Sequence, residues 1–177
     1  MKPGKGRDTM FRAVYMNQST LNQIADNKAN IMISINTTII SALVAVTAYS
    51  SDSEIMDEET NILFIPVLSI LLTCLVSIVF ALQSARPKVI NILKSQAKKS
   101  SLLFFGVSAS FPQDEYIVEL ENLLNRGDEV YQHMAIDLHN QGVVLKKKYN
   151  LLSYSYQAFL FGFVFSVLLF LVLLLVV

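Results

Sequence analysis

The chain has 177 residues, of which 53 % are hydrophobic and 16 % are charged, and its formal net charge is zero. This composition argues against an ordinary soluble domain, and its long apolar runs predict an all-α membrane protein. The balanced charge gives no reason to expect a nucleic-acid partner. The single cysteine, Cys74, excludes a disulfide framework within the chain.

The first segment, residues 1–30, is predicted to be a cytoplasmic amphipathic helix. Between Met10 and Asn30 its apolar residues recur close to the helical period of 3.6 residues. No proline or glycine separates this helix from the apolar run that follows, so the two can be continuous. The polar residues Asp26, Asn27, Lys28 and Asn30 would then lie at the membrane surface.

Three apolar runs have the length of membrane-spanning helices, and they cover residues 31–49, 62–82 and 154–177. The first two form a two-span hairpin, 31–82, whose connecting loop, 50–61, carries acidic residues and no lysine or arginine. All fourteen basic residues precede the first span or lie between the second and third. Because basic segments resist translocation, the N-terminus is predicted to be inside and the C-terminus outside.

The first span is unusually polar for a membrane helix. Ser34, Thr37, Thr38 and Ser41 are spaced so that they form one stripe along a helix. Small hydroxylated residues allow close contact between membrane helices. Two interpretations therefore remain open: ordinary packing against other helices, or a polar membrane stripe that forms an oligomer seam or a water-lined path.

The other two spans are more apolar. Pro66 falls in the first turn of the second span, where proline is tolerated. The third span is predicted to be a simple lipid-facing anchor. At its inner end, three consecutive lysines that end at Lys148 lie beside Tyr149; they are interpreted as an interfacial anchor, with an anionic-ligand site as the alternative.

The cytoplasmic segment, residues 83–153, is predicted to be helical. Ser110 is the expected N-cap of a helix that stops near Gly127. A further helix begins at Asp128 and meets no strong breaker before Val177, so a single helix about 75 Å long is expected at 1.5 Å per residue. The core of this segment is small, which favours stabilisation by association with further copies.

Motifs for catalysis, metals and cofactors are lacking in the sequence. It contains no glycine-rich phosphate loop, nucleophile elbow or zinc-type cysteine pattern. His133 and His139 would point in different directions on a helix, which makes them poor partners for one metal ion. We therefore expect neither an enzyme, a metal site nor a cofactor.

Two stretches resemble a known family. The first is Ala25-Asp-Asn-Lys-Ala-Asn-Ile-Met-Ile-Ser-Ile-Asn36. The second comprises Leu103-Phe-Phe-Gly106, then Tyr131, Asp137 and Leu138, and finally Val144-Leu-Lys-Lys-Lys-Tyr-Asn-Leu-Leu152. Both resemble the transmembrane effectors of pyrimidine-cyclase anti-phage systems, the Pycsar effectors of the PycTM family, and the resemblance extends from about residue 15 to the last span.

The resemblance implies a multi-pass protein of the bacterial inner membrane that acts in antiviral defence. A partner pyrimidine cyclase would act only through its diffusible product, cyclic UMP or cyclic CMP, and this nucleotide would trigger the effector to oligomerise and damage the membrane. Death of the infected cell by abortive infection would follow. A defined pore and general disruption are both compatible with this interpretation. The competing hypothesis is a non-catalytic membrane scaffold that recruits partners through its cytoplasmic helices.

A cyclic nucleotide needs a cation or a helix N-terminus for its phosphate, and an amide or acid for its base and ribose. Asn27 and Lys28 could serve such a site, or Asp26 and Lys28 could instead pair with a neighbouring helix. The candidates for nucleotide binding or coupling are Asp26, Asn27, Lys28, Asn30, Phe105, Asp137, Lys148 and Tyr149.

Overall fold

A computed structural model describes residues 3–52, 64–86, 101–103 and 105–176. Within these residues the chain is helical and contains no strand. The described residues form five helices: α1 (Pro3–Asp52), α2 (Phe64–Ala85), α3 (Phe105–Ser108), α4 (Gln113–Leu124) and α5 (Gly127–Val176).

Helix α1 confirms that the N-terminal amphipathic helix continues into the first apolar run. It has 50 residues, and after Gly6 it contains neither glycine nor proline. At 1.5 Å per residue it is about 75 Å long, which exceeds the roughly 30 Å apolar layer of a bilayer. The helix extends past the predicted end of the span at residue 49, and the rest of the acidic loop, 53–61, lies outside the described residues.

Helix α5 confirms the second long helix. It runs for 50 residues from Gly127, with Gly142 in its interior and no proline to interrupt its hydrogen bonds. Its predicted C-terminal apolar part, from residue 154 onward, carries no charged residue. This part alone is long enough to cross a bilayer.

Helix α2 matches the second predicted span, with Pro66 in its first turn. The helix ends three residues later than predicted, at Ala85. The amphipathic helix expected after Pro87 lies outside the described residues. Helices α1, α2 and α5 each contain a stretch long and apolar enough to cross a membrane, so the predicted three-span helical membrane protein is confirmed.

The predicted N-cap of α4 is wrong. The capping position is occupied by Pro112, whose side chain cannot accept a hydrogen bond, and its carbonyl accepts from the Tyr116 backbone N–H at 3.0 Å. Ser110 instead donates its hydroxyl to the Val107 carbonyl at 2.7 Å, in the turn that follows α3. The predicted end of the helix is confirmed, because Asn125 is its C-cap.

The chain divides into two compact units, and α1 and α5 contribute to both. The first unit consists of Met1–Gln23 and Pro87–Lys146, and the second of Ile24–Arg86 and Lys147–Val177. Apolar side chains form the described core of the first unit: Phe11, Leu102, Val107 and Leu123.

In the second unit, the buried positions of the long helices alternate at spacings of three and four residues. On α1 they are Ala25, Ala29, Met32 and Asn36, and on α5 they are Lys148, Leu152 and Ser155. This spacing is the pattern of helices that pack side by side at a shallow angle, as in coiled coils. Consequently, the same side of each helix faces the interior over several turns.

Candidate functional site

The interior of the second unit contains polar side chains among apolar ones, although its helices are apolar enough to cross a membrane. Lipid offers no hydrogen-bond partners, so polar groups in a spanning segment turn inward and bond to one another. The buried polar residues of this unit are Asn36, Ser77, Ser84, Lys148, Ser155 and Ser166. We refer to them together with Asp26 and Ser69 as the polar interior.

An ion pair lies at one end of the polar interior. The Lys148 ammonium donates to both carboxylate oxygens of Asp26, at 2.8 and 3.0 Å. The backbone carbonyl of Lys148 also accepts a hydrogen bond from the Ser84 hydroxyl at 2.9 Å. Residues of α1, α2 and α5 are thus joined at one level by charged and neutral hydrogen bonds.

Asn36, Ser77 and Ser155 form the centre of the polar interior, and all three are fully buried. The Asn36 amide donates to the Ser77 hydroxyl at 3.1 Å and to the Met32 carbonyl at 2.7 Å. Ser77 donates to the Ser155 carbonyl at 3.1 Å, and Ser155 donates to the Ser77 carbonyl at 2.8 Å. This polar triad links α1, α2 and α5, and the Asn36 carbonyl oxygen has no partner among the described residues.

Helices α2 and α5 approach each other closely at Gly162. A β-carbon placed there would lie 2.9 Å from the β-carbon of Thr73 and even closer to the rest of that side chain. Nearby, the hydroxyls of Ser69 and Ser166 are 2.8 Å apart. Small residues that permit such contact are a recurring feature of membrane helix pairs.

The interpretation of the third span as a simple lipid-facing anchor is therefore wrong at Ser155, Gly162 and Ser166, which face α2. Its outer side fits the prediction, because it exposes large apolar residues such as Phe161 and Leu168. A sequence signal for the inner side existed. Ser69, Thr73, Ser77 and Ala81 repeat every four residues, a spacing that favours close helix packing.

The membrane stripe of the first span does not form the packed side of α1. Ser34, Thr37, Thr38 and Ser41 are exposed in the single chain. Packing within the chain instead uses Ala29, Met32 and Asn36 and their neighbours on the same side. The stripe is thus not used for packing within the chain, and both ordinary packing against other helices and an oligomer seam or water-lined path stay predictions.

The candidates for nucleotide binding or coupling are divided between the two units. Asp26 and Lys148 meet in the ion pair, so Asp26 pairs with a neighbouring helix as the pairing alternative predicted, whereas Lys28 forms no such ion pair among the described residues. Tyr149 is partly buried beside Lys148. Asn27, Lys28 and Asn30 are exposed on α1.

The remaining two candidates, Phe105 and Asp137, belong to the first unit. Phe105 is the first residue of α3, and its side chain is not among the described parts of the structure. Asp137 is buried and accepts a hydrogen bond from Gln141 at 2.8 Å through one carboxylate oxygen. Its other oxygen has no partner among the described residues, and neither has the buried side-chain oxygen of Gln18.

Burial raises the pKa of the Asp137 carboxyl above its ordinary value of 3.8, and the hydrogen bond from Gln141 only partly opposes this effect. The unfolded chain therefore ionises at lower pH than the folded chain. As pH rises from the ordinary pKa through the raised pKa, stability falls.

We expect Asp137→Asn to be more stable than the wild type at neutral pH, because the amide carries no charge to desolvate. The advantage should vanish in strong acid, where the carboxyl is protonated in both states. Thermal unfolding across pH, with the exposed Asp114→Asn as control, checks this. An equal pH dependence in wild type and Asp137→Asn would contradict it.

The start of α1 packs on Tyr131 in the first unit. The Tyr131 hydroxyl donates to the Asp8 carboxylate at 2.7 Å. The centroid of the Tyr131 ring lies 5.8 Å from that of the Phe11 ring and 4.9 Å from the Arg7 guanidinium. Nearby, His133 accepts a hydrogen bond from the Leu102 backbone N–H at 3.1 Å, which gives this histidine a structural role.

The described residues contain no cluster of acidic, histidine or cysteine side chains that could hold a metal ion.

Comparison with known proteins agrees with these features. No curated protein and no solved structure gives a significant match to the chain. A family model described as the Pycsar effector protein domain, PycTM, matches residues 9–177, which is nearly the whole sequence and includes most of α1 and all of α5. The chain therefore belongs to the PycTM family of Pycsar effector proteins.

Proposed function

We propose that the chain is the membrane effector of a bacterial anti-phage system and responds to a cyclic pyrimidine nucleotide made by a partner cyclase. On binding cyclic UMP or cyclic CMP, the chains oligomerise and impair the integrity of the inner membrane. The infected cell dies before the phage can spread. Membership of the family and three candidate membrane spans support this proposal.

The observation that carries the proposal is the polar interior of the second unit. A helix bundle that served only as an anchor would be most stable with apolar packing, since burying polar groups costs free energy even when they are paired. This chain instead buries an asparagine–serine triad in segments apolar enough to span a membrane, and a partly buried ion pair lies next to those segments. Such groups are typical of pathways and switches in membrane proteins.

We assign two different roles to the candidate residues. Lys28 is exposed and has no acidic side chain within ion-pair distance in the described part of the chain, so its ammonium can meet the nucleotide phosphate, with Asn27 and Asn30 close by on α1. Lys148 is already neutralised by Asp26. We therefore assign ligand contact to Lys28 and its neighbours, and coupling between helices to Asp26 and Lys148.

The membrane-scaffold alternative remains a second candidate. A scaffold would use the exposed surface of the first unit and need no ligand. It would also tolerate apolar substitutions in the polar interior, because those would strengthen the bundle without touching the recruiting surface. Sensitivity to nucleotide distinguishes the two functions.

Titration of the purified full chain with cyclic UMP and cyclic CMP, with the mass of the detergent complex measured throughout, tests the proposal. We expect saturable binding of at least one nucleotide and an increase in mass. Lys28→Ala should weaken binding at least tenfold, whereas Lys5→Ala, an exposed lysine at the start of the same helix, should not. A mass that stays constant while neither nucleotide binds would favour the scaffold.

A further inference from the structure

The Asn36 carbonyl oxygen is fully buried in the polar triad and accepts no hydrogen bond within the described structure. A buried acceptor without a donor is costly, and native proteins usually satisfy such groups with ordered water. The protein donors around it are committed. The amide of Asn36 bonds to Met32 and Ser77, and the two serine hydroxyls bond to each other's backbone carbonyls.

The Asn36 carbonyl oxygen therefore lacks one small hydrogen-bond donor, which lipid cannot provide. A water molecule has the right chemistry, because it can donate one hydrogen to the Asn36 carbonyl oxygen and the other to a lone pair of a serine hydroxyl. Ser77 lies near the middle of α2, between Phe64 and Ala85. In a helix that spans the bilayer, this position is close to the midplane.

We propose that Asn36, Ser77 and Ser155 form an intramembrane hydration site, and that the water path of the activated effector passes through it, inside each subunit. This inference rests on the proposed function, since it names the route by which the membrane is impaired. The lesion then opens between α1, α2 and α5 of one chain. It does not require a pore lined by several chains.

The placement of the other polar groups supports this route. Along α2, Ser84 and Ser69 lie seven and eight residues on either side of Ser77. At 1.5 Å per residue these intervals are about 10 to 12 Å, so a few waters could connect neighbouring polar groups. Ser84 bonds to the carbonyl of Lys148, and Ser69 is paired with Ser166. Separating the three helices slightly would expose all of these groups to one column of water.

The rival route is the exposed membrane stripe of α1, which would place water between subunits. Substitutions separate the two routes. Asn36→Leu removes the hydration site, and Thr37→Leu removes a stripe residue one position along the same helix. With the full chain reconstituted in liposomes and cyclic UMP or cyclic CMP added, we expect Asn36→Leu to reduce potassium efflux at least tenfold and Thr37→Leu to leave it within twofold. The opposite order would overturn the inference.

A labelling experiment tests hydration independently of efflux and without the Asn36 substitution. Ser77→Cys is introduced in a Cys74→Ser background, and its reaction with a small, charged, membrane-impermeant thiol reagent is followed. We expect the nucleotide to raise the labelling rate of the cysteine at position 77 at least tenfold. The labelling rate of Cys74 in the wild type, one helical turn away on α2, serves as the reference for this rate.

The two readouts distinguish failure of this inference from failure of the proposed function. Efflux without labelling of the cysteine at position 77 would overturn the hydration route and leave the membrane effector intact. Labelling without efflux would support the hydration site and overturn membrane damage. Protection of the cysteine under nucleotide, with no efflux, would overturn both.

Discussion

Replacing Asp26 with asparagine should destabilise the chain more than replacing its partner, Lys148, with methionine. The Lys148 side chain is only 8 % exposed and that of Asp26 is 37 % exposed. Asp26→Asn therefore leaves a buried ammonium without its counter-ion, which we expect to cost about 3 kcal/mol. Lys148→Met leaves the Asp26 carboxylate unpaired, but water can reach it. The methionine side chain fills the space of the lysine stem, so we expect the free energy of unfolding to fall by only about 1 kcal/mol.

The double variant Asp26→Asn with Lys148→Met should be more stable than Asp26→Asn alone, because no unpaired charge remains buried. Unfolding of the purified chain in mixed detergent micelles measures all three variants in one cycle. Lys147→Met, at the exposed neighbouring position, serves as the control for loss of charge and should change stability little. Equal losses for the two single variants would show that burial does not govern this pair.

The second large effect is expected at Gly162. Gly162→Ala should destabilise the chain by about 2 kcal/mol, because the added methyl group collides with Thr73 and forces α2 and α5 apart. A larger residue such as leucine should cost at least as much. Separation of the helices would also strain the hydrogen bond between Ser69 and Ser166. The same micelle unfolding assay measures the loss.

Gly142→Ala is a matched control, since it places the same substitution in the same helix. A β-carbon at position 142 would make an ordinary contact of 3.7 Å with the Gln18 side chain. We therefore expect Gly142→Ala to stabilise the chain by up to about 1 kcal/mol through helix propensity. Adding Thr73→Gly should rescue Gly162→Ala, whereas Thr73→Ala should rescue it poorly because the two β-carbons would still be too close. No difference between the two glycine substitutions would contradict the tight contact.

Much of the fold could be predicted because helix continuity is a local property. The stretch between Met10 and Tyr49 lacks helix breakers, and so does the stretch after Asp128 except for Gly142. The long helices α1 and α5 follow from this. The N-cap of α4 was predicted wrongly because a serine two residues before a proline satisfied the capping pattern, yet its hydroxyl had a nearer acceptor in the preceding turn.

The polar interior was harder to predict because it depends on which helices meet. Lys146, Lys147 and Lys148 are chemically alike in the sequence, and only the register of α5 against α1 selects Lys148 to pair with Asp26. In the first span, the spacing of the hydroxyl groups predicted a polar stripe at Ser34, Thr37 and their neighbours. Asn36, which lies on the packed side, takes part in the hydrogen bonds that join the three helices. Helix period alone defines a face but does not say which face is packed.

Membrane potential in living cells is the most direct measure of whether this chain acts as a nucleotide-triggered membrane effector. Cells that express the wild-type chain without a cyclase are supplied with cyclic UMP or cyclic CMP while a voltage-sensitive dye reports polarisation. We predict that at least one nucleotide causes depolarisation within the lifetime of an infection cycle, and that cells without the chain stay polarised. A membrane that stays polarised while the nucleotide is demonstrably bound to the chain would contradict the proposed function.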